Sequence, residues 1–477
     1  MPFIPTIGLE VHAQLLTRSK AFCSCPTGYG APPNTQTCPV CLGMPGVLPV
    51  LNRGMVDLAL RAALALNCQV SWVSQFARKN YFYPDLPKGY QISQYDKPLA
   101  ENGWLELEYA GSARRIGVRR VHLEEDAGKS FHLDVGHSLV DMNRCGVPLI
   151  EIVSEPDVSS PEEAKAYLIE LKRILEYLGI CSGDMEKGAL RCDANVSLKD
   201  PKTAQLGIST EVKNLNSFRA VQRALKFEIE RQAAILQSGG RIARETLLWD
   251  EAAGVARPMR AKELAHDYRY FPEPDLVLLE VDEKWLEEVR SRLPELPQQK
   301  ERRLAEQYGI RKDQAEILCA DPALSAYFEA VAEACGQAAL AAGFILTDVL
   351  RYLHEAGITI SEFQLDSRNL AELLKLIDKG SLSMPLAREV FQEMLSGGET
   401  AQVIVARRGL ELIRDEETIL PLIRQVIEQY PAEVQRYLTG ETKLSRFFMG
   451  QLMKLTRGQG DPARLSELLE RELKSPQ

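Results

Sequence analysis

The sequence predicts an α+β fold followed by all-helical chain, and three observations carry that reading. Short runs with alternating apolar and polar residues crowd the first part: WLELEY, RRIGVRRVHLEED, LRCDANVSL and LVLLEV read as half-buried antiparallel strands. Helices interrupt them without a regular strand–helix–strand order, which points away from a wound parallel sheet. Beyond RSRLPELPQQKERRLAEQYG, with Pro294 and Pro297 at the change, helical periodicity takes over. The expected division is 1–293, a large α+β domain with an antiparallel sheet; 294–400, a helical linker domain; and 401–477, a small helical tail, the break lying near Gly397 and Gly398.

Taken in order, GLEVHAQL alternates strictly, so Glu10 and His12 share one face of a strand. RGMVDLALRAALALN has apolar residues at helical spacing. SSPEEAKAYLIELKRILEYLG opens with Ser160, Pro161 and Glu163, a capping box with proline at the first helical position, and Gly179 supplies the stop. SFRAVQRALKFEIERQAAIL is a third amphipathic helix, ending near Gly239 and Gly240. RKNYFYPDLPKGYQISQYDKPL and RPMRAKELAHDYRYFPEPDL look too irregular for either element and read as packed loops or ligand-contacting ones.

With 477 residues, 45% hydrophobic and 26% charged, the chain has the composition of a multidomain globular protein. No apolar run approaches the ~20 residues of a membrane helix. MPFIPTIGLEVHAQ lacks the basic and apolar segments of a secretory signal, so the cytoplasm is the expected location. A net charge of −9 argues against a surface that coats nucleic acid, because phosphate contact is made by clustered Lys and Arg. The tail is locally different: Arg436, Lys443, Arg446, Lys454 and Arg457 stand against Glu441, beside Phe447 and Phe448. That stretch is either a solvated helix face or an RNA-contacting one.

Cys23, Cys25, Cys38 and Cys41 form two tight pairs joined by the polar, Pro/Gly-rich PTGYGAPPNTQT, the spacing of a structural zinc clip. Four thiolates leave no open position, so this would be a staple and not a catalytic centre. Six other cysteines sit in apolar or helical surroundings and read as buried thiols.

Carboxylates and amides recur in the strand-like runs: Glu10 with His12, then Glu124, Glu125 and Asp126, then Asp141, Asn143, Glu151 and Glu155, then Asp193 with Asn195, and Glu211 with Lys213. Converging carboxylates repel unless a cation sits among them, and oxygen ligands with one imidazole suit Mg²⁺ or Mn²⁺. Charged strand faces lying in solvent would produce the same pattern.

Eight segments in order, GLEVHAQL, CPVCLGMPG, KNYFYPDLPKGYQISQY, LEEDAGKS, DMNRCGVPLIEIVSEPD, RCDANVS, TEVKNLNSF and HDYRYFPEPDL, resemble the B-subunit family of the aspartyl/glutamyl-tRNA(Asn/Gln) amidotransferases. The resemblance implies a large α+β cradle, a helical linker and a tRNA-gripping tail. It implies phosphorylation of the side-chain carboxylate of Glu-tRNA(Gln) or Asp-tRNA(Asn) with ATP and Mg²⁺. Amidation then follows, with ammonia channelled from a glutamine-hydrolysing amidase partner (the A chain of the complex), and a small third partner (the C chain) completes the heterotrimer. It implies Glu10, His12, Glu125 and Glu151 as Mg²⁺ ligands, with Glu124, Asp193 and Glu211 as carboxylates beside or behind them. Lys79, Tyr81, Lys88 and Asp275 would belong to a polar channel and its exit. The chain shows no Ser/Lys amidase signature, which fits ammonia production by another protein of the complex.

Overall fold

The computed structural model describes residues 3–133, 136–201, 205–261, 268–410, 413, 415–456 and 459–474. Arg457 of the basic tail and residues 262–267 of the aromatic RPMRAKELAHDYRYFPEPDL stretch lie outside the described residues. The chain divides into two compact units, Met1–Leu296 and Pro297–Gln477.

The first unit is built on a nine-stranded sheet. From one edge the strands run Val255–Ala261, Glu245–Asp250, Thr210–Leu215, Leu190–Lys199, Ile4–Gln14, Pro148–Ser154, Ser112–Glu125, Ala100–Tyr109 and Gln69–Val70. Described pairs in this sheet are antiparallel except Thr210–Leu215 with Glu245–Asp250, which run parallel because the helix Phe218–Gln237 crosses between them. The central strand alternates as its sequence requires: Ile7, Leu9, Val11 and Ala13 are buried on one face, Glu10 and His12 stand on the other. Leu123, Ile150, Ile152, Cys192 and Ala194 continue the apolar face, and helices Arg53–Ala65, Pro161–Tyr177 and Phe218–Gln237 close over it as one core.

The helix starts are legible in the sequence, with one change of partner. Ser217 Oγ accepts from Ala220 N, and Ser160 Oγ accepts from Glu163 N, each cap contributing about 1 kcal/mol. The reciprocal bond of the expected capping box goes elsewhere: Glu163 Oε2 accepts from Ser159 N at 2.7 Å, while Oε1 takes Arg114. Gly179 and Gly239 stop their helices with positive φ of 63° and 79°.

Two strand expectations are corrected. LVLLEV is a strand only at Leu279–Glu280; Leu279 and Val281 are buried in the core, while Val277, 89% exposed, and Leu278 face solvent. RKNYFYPDLPKGYQISQY is not irregular throughout, because Phe76–Asn80 and Tyr90–Gln94 are strands of a small sheet with Phe271–Pro272. Gln91, Ser93 and Gln94 are buried there as polar residues, so the strand shows no apolar–polar alternation to read.

The second unit is helical, with two separate cores. One is formed by residues from Leu304 to Leu410, the other by residues from Ile419 to Leu473. Gly398, at φ 68°, caps the helix Met384–Gly397. In the second core Phe448 is fully buried and Phe447 packs edge-on against Tyr430 at 5.0 Å. Phe448 thus serves the core, and Phe447 is half-buried against it. Lys443 and Lys454 are exposed, whereas Arg436 is bonded to Glu441 at 2.6 Å.

Candidate active site and cysteine cluster

The face of the large sheet opposite the helices is polar, and strand register sets who meets whom. His12 lies opposite Glu151, Glu151 opposite His122, and Glu10 opposite Asp193. Directly opposed residues share a face, so a row of acids and imidazoles crosses four strands. His12 Nε2 stands 3.4 Å from both Glu124 Oε1 and Glu151 Oε2, and His122 Nε2 stands 3.2 Å from the same Glu151 oxygen. One ligand atom from each of His12, Glu124 and Glu151 lies within 4.8 Å of the others, the spacing of a shared cation site.

Electrostatics follow from that crowding. Burial opposes the charge on His12, but Glu151 and Glu124 outweigh it and push its pKa up to about 9. His122 is raised for the same reason. Burial also works against ionised Glu151 and Glu124, yet the imidazoles hold both carboxyls below the usual range. Two carboxylates and an imidazole offer the hard donor set suited to Mg²⁺ or Mn²⁺. The buried Nδ1 of His122 has no hydrogen-bond partner among the described residues, so the network is not closed by these protein atoms alone.

The structure does not bring the four expected Mg²⁺ ligands together. Glu124 and Glu125 are neighbours on a strand and therefore face opposite ways. Glu124 joins His12 and Glu151, whereas Glu125 pairs with Lys88 and accepts from Ile92 N at 2.9 Å. Glu10 stands on the polar face but in an adjoining group: its Oε1 accepts from Asn195 Nδ2 at 2.8 Å. Lys213 joins that group, 2.6 Å from Asp193 and 3.3 Å from Glu211. Burial raises the pKa of Glu10, helped by Glu151, Glu211 and Asp193 and opposed by Lys213.

The small sheet sits over the end of this face. Ser93 Oγ donates to Glu124 Oε2 at 3.4 Å, and Gln91 Nε2 donates to the Glu125 carbonyl at 2.7 Å. Lys79 is paired with Gln91 across that sheet, and its amine lies 5.0 Å from the Tyr268 ring and 5.9 Å from the Tyr81 ring. Burial opposes its charge, but Tyr270, Glu124 and Glu151 hold it above the usual lysine range. Asp275 is elsewhere, bound to Arg78 at 3.0 Å, while Arg78 forks onto Glu273 at 2.7 and 2.8 Å. A cavity of about 110 Å³ is lined by Lys20, Cys41, Lys88, Tyr90, Glu125 and Asp275, among others. Glu125, Lys88 and Asp275 therefore share a cavity beside the cysteines, apart from the His12 group.

Sequence reasoning passes over His122 and names Asp126 only among the recurring carboxylates. His122 alternates with Glu124 in VHLEED, a spacing of two that places it on the same face. Asp126 Oδ1 takes Arg191 at 3.0 Å and Oδ2 takes Gln14 at 2.9 Å, contacts between distant segments that no local pattern announces.

The sulfurs of Cys23, Cys25, Cys38 and Cys41 lie within 4.8 Å of one another. Tetrahedral zinc with Zn–S of ~2.3 Å needs sulfurs on the order of 3.8 Å apart, so the set fits with small adjustment. Cys38 N donates to Cys41 Sγ at 3.2 Å and the Lys20 amine lies 3.6 Å from it. A hydrogen bond from Cys23 is the main reason the Cys41 thiol is pulled down to about 4, with Cys38 N and Lys20 adding to it.

Comparison with known proteins agrees along nearly the whole chain. Residues 5–287 match the GatB/GatE catalytic domain and residues 326–473 match the GatB domain. The chain is 51% identical over 474 residues to the B subunit of the aspartyl/glutamyl-tRNA(Asn/Gln) amidotransferase of Thermodesulfovibrio yellowstonii, covering 99% of this chain and 100% of that protein. It is 50% identical to the protein of the same name from Caldanaerobacter subterraneus, with 99% and 100% covered, and 46% identical to that of Brevibacillus brevis, with 98% of each covered. The sheet-rich first unit, the helical second unit and these matches agree: the chain belongs to the GatB/GatE family of amidotransferase B subunits.

Proposed function

We propose that this chain activates the side-chain carboxylate of Glu-tRNA(Gln), Asp-tRNA(Asn) or both with ATP, and amidates it to Gln-tRNA(Gln) or Asn-tRNA(Asn). The observation that supports this most is the convergence of His12, Glu124 and Glu151 on a polar sheet face in a chain of this family. In this reading those three residues hold Mg²⁺, with Glu10, Asp193 and Glu211 as the neighbouring carboxylates. When bound, the ion supplies positive charge between the ATP phosphates and the substrate carboxylate, which would otherwise repel. His122 orients Glu151 and Glu124 through its Nε2. Lys79 brings a fixed positive charge to the same face.

The chemistry balances without a further reactant. A carboxylate oxygen attacks the γ-phosphorus of ATP and ADP leaves, giving an acyl phosphate. Ammonia adds to the carbonyl carbon, loses a proton, and phosphate departs with the former carboxylate oxygen.

Ammonia comes from the amidase partner, the A chain of the complex, and the small C chain completes the assembly. The Lys88–Glu125 cavity, with Asp275 on its wall, suits a polar ammonia path, and Tyr81 suits its exit. The cysteine set takes structural Zn²⁺. Residues 294–400 act as a helical linker, and 401–477 as a tail whose Lys443, Arg446 and Lys454 meet tRNA phosphates. The setting is the cytoplasm, and no described helix is long and apolar enough to cross a membrane.

The test is ATP cleavage by the chain assembled with its amidase and small partners and Mg²⁺, with and without misacylated tRNA. Cleavage that appears only with the misacylated tRNA supports the reading. A chain that binds tRNA but ignores ATP would be an adaptor instead.

A further inference from the structure

Arg120 lies two residues before His122 on the strand Ser112–Glu125, so alternation places it on the acidic face. It is half-buried, its Nε is buried without a hydrogen-bond partner, and it makes no ion pair among the described residues. Its neighbours are matched: Arg119 with Glu155, Arg191 with Asp126, Lys213 with Asp193. Lys79 is the second such cation, touching tyrosine rings but no carboxylate within ion-pair distance among the described residues. It stands two residues from Ala77, which pairs with Ser93 on the small sheet. Ser93 in turn reaches Glu124, so this strand pair overlies the same end of the face.

Tyr270 connects the two. Its ring is 6.2 Å from Tyr268, which carries Lys79, and it stacks on Tyr95 at 4.2 Å. Burial raises its hydroxyl to about 12, and both Lys79 and Arg120 pull the other way, so both cations are felt at one phenol. A guanidinium taken partly out of water with an idle donor is costly unless something fills it. Carboxylates are abundant on this face, yet among the described residues none is spent on either cation.

We propose that Arg120 and Lys79 are an anion clamp that grips the terminal phosphate of the nucleotide at the edge of the His12–Glu124–Glu151 face. The proposal rests on the ATP-dependent reading above and adds to it a residue pair and the phosphate that the pair holds. Arginine's planar fork suits two phosphate oxygens at once, and the lysine adds a point charge on the tyrosine side. A clamp on the terminal phosphate favours the triphosphate over the diphosphate and releases ADP once transfer is complete.

The experiment uses the full chain in its assembled complex and measures binding of the β,γ-methylene analogue of ATP, and of ADP, each with Mg²⁺. Arg120→Gln is expected to weaken the ATP analogue roughly 10- to 100-fold and ADP far less, with Mn²⁺ binding in the absence of nucleotide unchanged. Arg120→Lys keeps the charge and should fall between. Equal affinity of wild type and Arg120→Gln for the ATP analogue, or equal losses for the analogue and ADP, overturns the clamp while leaving ATP dependence intact. Should Arg120→Gln fail to fold, Arg120→Lys decides alone, and unchanged discrimination between analogue and ADP then refutes the proposal. A wild-type complex that binds neither nucleotide sinks the ATP reading itself.

Discussion

Glu124 and Glu125 are adjacent in the chain and serve opposite sides of one strand. Glu124 lies 3.4 Å from His12 on the acidic face, and Glu125 is paired with Lys88 in a cavity beside the cysteines.

That division predicts different losses from the same change. Glu124→Gln removes a proposed metal ligand and should weaken Mn²⁺ binding at least as much as the roughly 10- to 100-fold typical of losing a residue that merely supports a ligand. Glu125→Gln should leave Mn²⁺ affinity nearly unchanged but strand the buried Lys88 amine, lowering stability by about 3–5 kcal/mol. Electron paramagnetic resonance of Mn²⁺ together with urea unfolding separates the two. Equal metal affinities in both variants would contradict the assignment.

Asp126 gives a pH signature. Burial raises its pKa, but Arg191 and Arg144 outweigh that and hold it below the ordinary value. A depressed folded-state pKa means its stabilisation is present above the unfolded pKa of ~3.9 and is lost as pH falls through the lower folded value. Asp126→Asn should cost about 1.5–3 kcal/mol at pH 7. In urea midpoints the deficit should shrink as pH falls below about 4; a deficit independent of pH would mean packing, not charge, is at stake.

If the tail meets tRNA, replacing Lys443, Arg446 and Lys454 by Ala should weaken binding to all tRNAs alike. The slope of log affinity against log salt should drop by up to ~2–3, since each phosphate contact contributes ~0.7–0.9. An unchanged slope places the contact elsewhere.

The cysteine cluster should hold one zinc per chain by elemental analysis. Cys41→Ser should lose it and lower the unfolding temperature, without abolishing nucleotide binding at the His12 group. Retained zinc would point to other ligands.

Strand faces are legible in the sequence, but their neighbours are not. Glu10 and His12 fall on one face because GLEVHAQL alternates, and His122 is readable from VHLEED by the same rule. Glu124 and Glu125 differ by one position, which in a strand is a full reversal of face: Glu124 meets His12 and Glu125 meets Lys88. Alternation puts Glu125 on the side of Leu123, and strand register shows that this is the side on which Val11 and Ile150 are buried. The Asp126–Arg191 contact joins segments 65 residues apart and lies beyond any local signal. Phe448 misleads for a related reason: an aromatic beside basic residues looks the same in sequence whether it faces RNA or a helix core.

Phosphorylation of the substrate carboxylate moves one of its oxygens into phosphate, and oxygen labelling follows that atom. Glu-tRNA(Gln) or Asp-tRNA(Asn) carrying ¹⁸O in the side-chain carboxylate is turned over with ATP, Mg²⁺ and glutamine by the assembled complex. One ¹⁸O per turnover should appear in inorganic phosphate, because the oxygen that attacked ATP leaves with the phosphate. Amide product formed with unlabelled phosphate would contradict the account.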